Sequence, residues 1–168
     1  MSDQHRLTFP FQARYRQLGE ITSNTRHIVF ALHGHGQLAE FFIRKFSPLN
    51  DGQTVIYAPE GLSRYYLEGF TGRVGATWMT REDRENDILN YITYLNTLSN
   101  QEKTKWPEDA VVHVIGFSQG AATATRWVLD GEIKAHRLIL WAGILPYDMD
   151  ITKGRDILQS METVSVCG

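Results

Sequence analysis

The residues best suited to chemistry are Gly116-Phe117-Ser118-Gln119-Gly120, a G-x-S-x-G pattern inside "VVHVIGFSQGAATATRW". A β-branched run precedes the pattern and an alanine-rich run follows it, so Ser118 falls at a strand-to-helix turn. Such a turn lifts a hydroxyl nucleophile clear of the chain, but it is sterically demanding. The residues two before and two after the serine crowd together unless both lack a side chain, and Gly116 and Gly120 meet that condition. Ala121, Ala122 and Ala124 let the helix lie close to a sheet, while its N-terminus turns free N–H groups and a partial positive charge toward Ser118. The chemistry this suits is attack on a carbonyl carbon, with the resulting oxyanion held by backbone amides.

An oxyanion site of this kind takes its second donor from the loop after an earlier central strand. "LHGHGQ", Leu32 to Gln37, is placed for this, and its glycines allow the N–H of His35 or a neighbour to face the same point as the N–H of Gln119. The same loop also fits a dinucleotide fingerprint, G-x-G-x-x-A over Gly34 to Ala39, with Glu60 near where a ribose-binding acid belongs. That alternative sets a bulky His and Gln beside the phosphate and leaves GFSQG without a role, so the nucleophile reading is preferred.

The elements that must carry these loops alternate between short β-branched runs and helix-period segments, the pattern of a mostly parallel sheet. The opening segment alternates Phe9, Phe11, Ala13 and Tyr15 with polar residues and predicts an antiparallel edge strand, turned back at Gly19-Glu20. "HIVFALHG" reads as a central strand, followed by a helix with Leu38, Phe41, Phe42 and Phe46 on one stripe and closed by Pro48. "TVIYAPEG" is the next strand and opens into a long irregular loop, "GLSRYYLEGFTGRVGATWM". Thr80 and Asp83 form an expected capping box for a helix buried through Ile88, Leu89, Ile92, Leu95 and Leu98. Beyond "AVVHVIG" and the Ser118 helix, which ends near Asp130 at a capping Gly131, come a strand "RLILWAG", a short helix around "RDILQSM" and a buried strand "TVSVCG".

The totals bound the rest. A length of 168 residues fits one unit spanning 1–168. A net charge of −2 with interspersed signs gives no reason to expect nucleic acid or an anionic membrane as partner. The N-terminus carries no continuous apolar run, so neither a signal peptide nor an integral membrane segment is expected. Cys167, the single cysteine, cannot form an internal disulfide and fits a reducing, cytoplasmic compartment.

With LHGHGQ, APEG, ATWM, GFSQGAA and WAGILP in this order, the sequence resembles the α/β-hydrolase superfamily. Within it, the likeness is to the phospholipase/carboxylesterase group that includes acyl-protein thioesterases. The resemblance implies an α/β-hydrolase three-layer sandwich with a mostly parallel central sheet, here lacking the last strand and helix. It makes Ser118 the nucleophile and His35 and Gln119 the backbone oxyanion donors. Trp78 and Leu145 become neighbours of the acyl pocket, and His33 a structural histidine of its loop. It implies a small-molecule ester or thioester substrate and neither metal nor organic cofactor. Dienelactone-type hydrolases resemble the chain less, because their elbow carries cysteine.

The chain order of this fold is Ser, then Asp or Glu, then His. Of the six histidines only His136 follows Ser118, and it sits in a connection at the sheet end away from the strand tips. Asp148 and Asp150 read as solvated loop residues or a helix cap. The acid and histidine are therefore expected beyond Gly168, these residues being a piece of a longer esterase. The exposed sheet edge then needs cover, which admits a homo-oligomer. The competing class is a non-catalytic ligand-binding protein that keeps the pocket.

Overall fold

The computed structural model describes residues 2–150, 152 and 154–167, so the last glycine of the expected final strand, Gly168, lies outside the described residues. The order is β1 (Tyr15–Leu18), β2 (His27–Leu32), α1 (Ala39–Phe42), a 3-10 turn (Ile43–Leu49), β3 (Thr54–Pro59), β4 (Ser63–Tyr66), β5 (Val74–Thr77), α2 (Arg84–Lys103), β6 (Val111–Phe117), α3 (Gln119–Asp130), β7 (Arg137–Trp141), α4 (Arg155–Gln159) and β8 (Glu162–Val166). One six-stranded sheet runs β1-β3-β2-β6-β7-β8. Its pairs are parallel except β1 with β3.

Strands that are apolar on both faces are buried on both and take the sheet centre. Ile28, Phe30, Val55, Tyr57, Val112 and Val114 face α2 and α3, through Tyr91, Leu95, Ala121, Ala124 and Trp127. Val29, Ala31, Ile56, Ala58 and Ile115 face α1 and the 3-10 turn, through Ala39, Phe42, Ile43 and Phe46. The sheet is thus the middle of three layers, and β2 and β6 lie side by side with Leu32 opposite Gly116. That register sets the two candidate oxyanion loops next to each other.

Several local expectations change. The antiparallel edge strand is there but begins at Tyr15, and Phe9 and Phe11 lie exposed outside it, around a Pro10 that has no N–H for a ladder. The buried stripe of the next helix is Ala39, Phe42, Ile43 and Phe46, so Phe41 faces outward under the Arg44 guanidinium, 4.8 Å from its ring centre. Pro48 lies within the 3-10 turn that continues it.

The expected long loop contains a hairpin, β4 with β5, whose tip uses Gly69 and Gly72 at φ 58° and 91°. The long helix starts at Arg84 and not at Thr80. Asp83 is left-handed at φ 48° and gives no side-chain cap, while Thr80 Oγ1 accepts the Glu82 N–H and Asp87 accepts the Thr80 N–H. At Gly131 the backbone is not left-handed; a Cβ there would stand 2.3 Å from the Trp127 carbonyl oxygen, so close approach demands the glycine. The strand expected to be buried at the end, β8, is largely exposed because only β7 pairs with it.

Candidate active site

Ser118 occupies φ 52° and ψ −114°, a conformation that L side chains rarely adopt. Strain of this sort costs about 1–3 kcal/mol and persists only where the surroundings enforce it. Here the tips of three strands do so. The Ser118 N–H donates to the last carbonyl of β7, Trp141 O, at 2.9 Å. A Cβ on Gly116 would stand 2.2 Å from Gly120 O, and one on Gly120 would stand 2.2 Å from Leu32 O. A Cβ on Gly143, after β7, would meet the Ala121 methyl at 2.4 Å. The backbones of β2, β6, β7 and α3 therefore meet where only glycine fits, and the Ser118 side chain is left exposed. Gln119, as the first residue of α3, presents an N–H with no partner inside its helix.

The loop after β2 has a similar leftover donor. Gly34 N–H donates to Gln37 Oε1 at 2.9 Å, Gly36 N–H to Ala76 O at 2.8 Å and Gln37 N–H to Gly34 O at 3.2 Å. Among the described residues, the His35 N–H alone of these four amides has no acceptor. His33 is buried: its Nδ1 donates to Gly34 O at 2.7 Å, its Nε2 accepts the Gly61 N–H at 2.9 Å, and burial holds its pKa below the usual histidine value. A neutral imidazole with both nitrogens bonded is a structural brace. Trp78 is its lid, stacked on the ring at 5.1 Å and donating its indole N–H to His33 O at 2.8 Å. At 2% exposure Trp78 is buried, and it contributes to the lining of a cavity with Tyr15, Leu62, Ser63 and Tyr94.

The hairpin joins the two loops. Gln119 Oε1 accepts from Thr77 Oγ1 and from Trp78 N–H, both at 3.1 Å, and its Nε2 donates to Met79 O at 2.9 Å. The His35 ring sits between Thr77 Oγ1, 3.1 Å from Nδ1, and the Tyr65 hydroxyl, 2.6 Å from Nε2. Sequence reasoning singled out Gln119 and His35 for their backbone alone; it read Tyr65 as an aromatic of a pocket or of the core and gave neither Tyr65 nor Thr77 a contact with His35. Their partners lie about forty and thirty residues away, beyond the reach of any periodic pattern; the only trace was the ATWM stretch.

The structure thus brings Ser118, Gln119, His35 and Trp78 to one end of the sheet. Leu145 is placed otherwise, lining a cleft with Arg155, Leu158 and Thr163 on the α4 side. Glu60 caps α1, accepting the Ala39 N–H at 3.1 Å and Arg14 Nε at 2.6 Å, so it is not turned toward a ribose. Asp148 lies in an exposed turn, as expected, but it is paired: burial pulls its carboxyl up, while Arg84 and the buried Arg126, which it bridges, outweigh that and hold it below the usual range. Asp150 does act as a local cap, on Thr152 N–H.

Among the described residues no histidine hydrogen-bonds to Ser118. His136 Nδ1 accepts the Val112 N–H at the far end of the sheet. His27 and His113 face each other there, 3.1 Å apart. No described helix is long and apolar enough to cross a membrane.

No protein-family profile and no curated protein matches the sequence. Solved structures do match. Acyl-protein thioesterase 2 of Zea mays superposes with a TM-score of 0.66 at 17% identity, over 92% of this chain and 75% of that one. A phospholipase/carboxylesterase from Dyadobacter fermentans gives 0.63 at 16% identity, over 96% of this chain and 90% of that one. A structure assigned to the alpha/beta hydrolase family from Desulfitobacterium hafniense gives 0.54 at 21%, over 83% and 48%. The chain has the α/β-hydrolase fold that its motifs led us to expect.

Proposed function

We propose that the chain is a serine hydrolase that cleaves carboxylic esters or thioesters through an acyl-enzyme on Ser118, in the manner of a carboxylesterase or lysophospholipase. The supporting observation is a strained, exposed serine at the strand tips, where the amides of Gln119 and His35 have no acceptor among the described residues. Packing demands alone give no reason to keep such a turn or to leave both donors unbonded. The names of the similar solved structures, a thioesterase and a phospholipase/carboxylesterase, point the same way.

In this reading a base removes the Ser118 hydroxyl proton as Oγ bonds to the carbonyl carbon, and the carbonyl π pair moves onto oxygen. The His35 and Gln119 N–H groups hold that oxyanion, each contributing about 2.7–4 kcal/mol to the barrier reduction. Collapse of the tetrahedral species breaks the bond to the alcohol or thiol, which takes the proton from the base. Water repeats the sequence on the acyl-enzyme and releases the acid. The reading assigns the base and its supporting acid to groups outside the described residues. Exposed Cys167 accords with a cytoplasmic location.

The absence of a histidine bonded to Ser118 among the described residues favours a second reading, a ligand-binding protein without turnover. Labelling with a fluorophosphonate, read by intact mass, separates the two. One adduct on Ser118, lost in Ser118→Ala together with p-nitrophenyl ester hydrolysis, is expected. Saturable ester binding with no adduct would favour the binding protein, and hydrolysis that survives Ser118→Ala would remove Ser118 from the mechanism.

A further inference from the structure

We infer that Tyr65 is a positioning residue of the oxyanion site, acting from the hairpin through the His35 side chain to fix the direction of the His35 amide. Its effect on rate rests on the serine-hydrolase reading, whereas its effect on His35 stands on the hairpin alone.

His35 stands between Gly34 and Gly36, the second at φ 76°. Two glycine neighbours leave the peptide planes on either side of His35 with more conformational freedom than any other pair would allow. A donor that must meet a developing charge needs its direction fixed in advance, and a misplacement of about 1 Å can cost on the order of a hundredfold in rate. The backbone supplies part of the constraint through Gly36 N–H on Ala76 O and Ala76 N–H on Gln37 O. The His35 side chain supplies the rest, because both of its ring nitrogens are held by the hairpin, one from each strand.

The hydrogens fix the direction of this chain. Thr77 has one hydroxyl proton, which is directed to Met79 O at 2.9 Å and Gln119 Oε1 at 3.1 Å. With the proton there, Thr77 Oγ1 accepts from Nδ1 and Nε2 offers a lone pair; because Met79 O and Gln119 Oε1 each accept from a second donor, that tautomer is held jointly by Thr77 and Tyr65. Only the Tyr65 O–H is there to fill it, at 2.6 Å. The donors run Tyr65 to His35 to Thr77 to Gln119, tying together the two residues whose amides have no acceptor among the described residues. Close packing brings Tyr65 to this spot: it pairs with Gly75 across the hairpin, and a Cβ on Gly75 would stand 2.5 Å from Gly36 O. The Tyr65 ring also lies against the imidazole, with centres 5.4 Å apart.

The test is a double-mutant cycle in the full chain, with ester hydrolysis and fluorophosphonate labelling rate as readouts. Tyr65→Phe keeps the ring and removes the donor; kcat and the labelling rate should fall about tenfold with KM within about twofold. His35→Ala keeps the backbone N–H, and in that background Tyr65→Phe should change nothing further. An equal loss in both backgrounds, no loss, or a change in KM alone would overturn the inference. Nitrogen NMR of the His35 ring needs no turnover: one tautomer with hydrogen on Nδ1 is expected in the parent and a mixture in Tyr65→Phe, whereas an unchanged ring would count against Tyr65. A parent chain that leaves Ser118 unlabelled sinks the serine-hydrolase reading, and the NMR result then decides the role of Tyr65 by itself.

Discussion

The two ends of β6 differ in a way that residue types alone conceal. The N-terminal end carries three histidines: His113 on β6, His27 beside it on β2 and His136 just before β7. The C-terminal end carries two more, His33 and His35, together with an alcohol and the amides of His35 and Gln119. Yet at the first end hydrogen-bonding capacity is mostly used, His27 with His113 at 3.1 Å and His136 on Val112 N–H, while His113 Nδ1 is buried without a partner. At the second end the His35 and Gln119 donors have no acceptor among the described residues, beside a strained serine. Unused donors on an enforced backbone are what the proposed reaction needs, and a cluster of imidazoles can be packing.

The largest effect that would sharpen this contrast is at the glycines of the serine end. Gly120→Ala places a methyl 2.2 Å from the Leu32 carbonyl oxygen, backbone that cannot swing aside. The expected cost is about 3 kcal/mol or more, read as a loss of denaturant midpoint or of soluble protein. Normal stability in Gly120→Ala would mean the strand tips are not pinched as described.

A middle effect belongs to the histidine end and to pH. Burial, with His27 and Arg137 adding to it, pushes the His113 imidazole down to about 4 from its ordinary 6.5. The unfolded chain then binds the extra proton between those values, so stability is full above about 6.5 and falls as pH drops toward 4. Because the ring is only half-buried, the loss is on the order of 1–2 kcal/mol. His113→Val should flatten the slope of melting temperature against pH over this window and leave Ser118 labelling unchanged. A slope that persists would assign the acid sensitivity elsewhere.

The smallest is His136→Ala, which removes the acceptor for the Val112 N–H and should cost about 1 kcal/mol with no effect on hydrolysis. A large loss of hydrolysis in His136→Ala would break the comparison outright, since it would tie the far end of β6 to the chemistry.

What could be read from the sequence was short-range. Gly116 is required by contacts with Gly120 and Ala121, within one turn of Ser118, so that spacing declared the elbow directly, whereas Gly120 is pinched from across the sheet by Leu32 O. The central strands were legible because burial on both faces leaves a continuous apolar run, as in Ile28–Leu32 and Val55–Pro59. The β4–β5 hairpin was hidden, because its residues alternate around glycines and its pairing depends on Gly36 and Gln37, far back in the chain. The ion pairs of Asp148 were hidden for the same reason, its two arginines standing 64 and 22 residues away.

The sequence by itself therefore determined the strained serine turn, the parallel sheet that carries it and the glycine-flanked loop beside it. All three follow from sterics and burial acting over a few residues. Only the tertiary structure decided that the His35 ring is held by Tyr65 and Thr77, that Trp78 stacks on His33, and that the histidines of β2 and β6 lie at the far end of the sheet. Those outcomes depend on which strand lies beside which and in what register, and a single chain read in order carries no record of its neighbours in space.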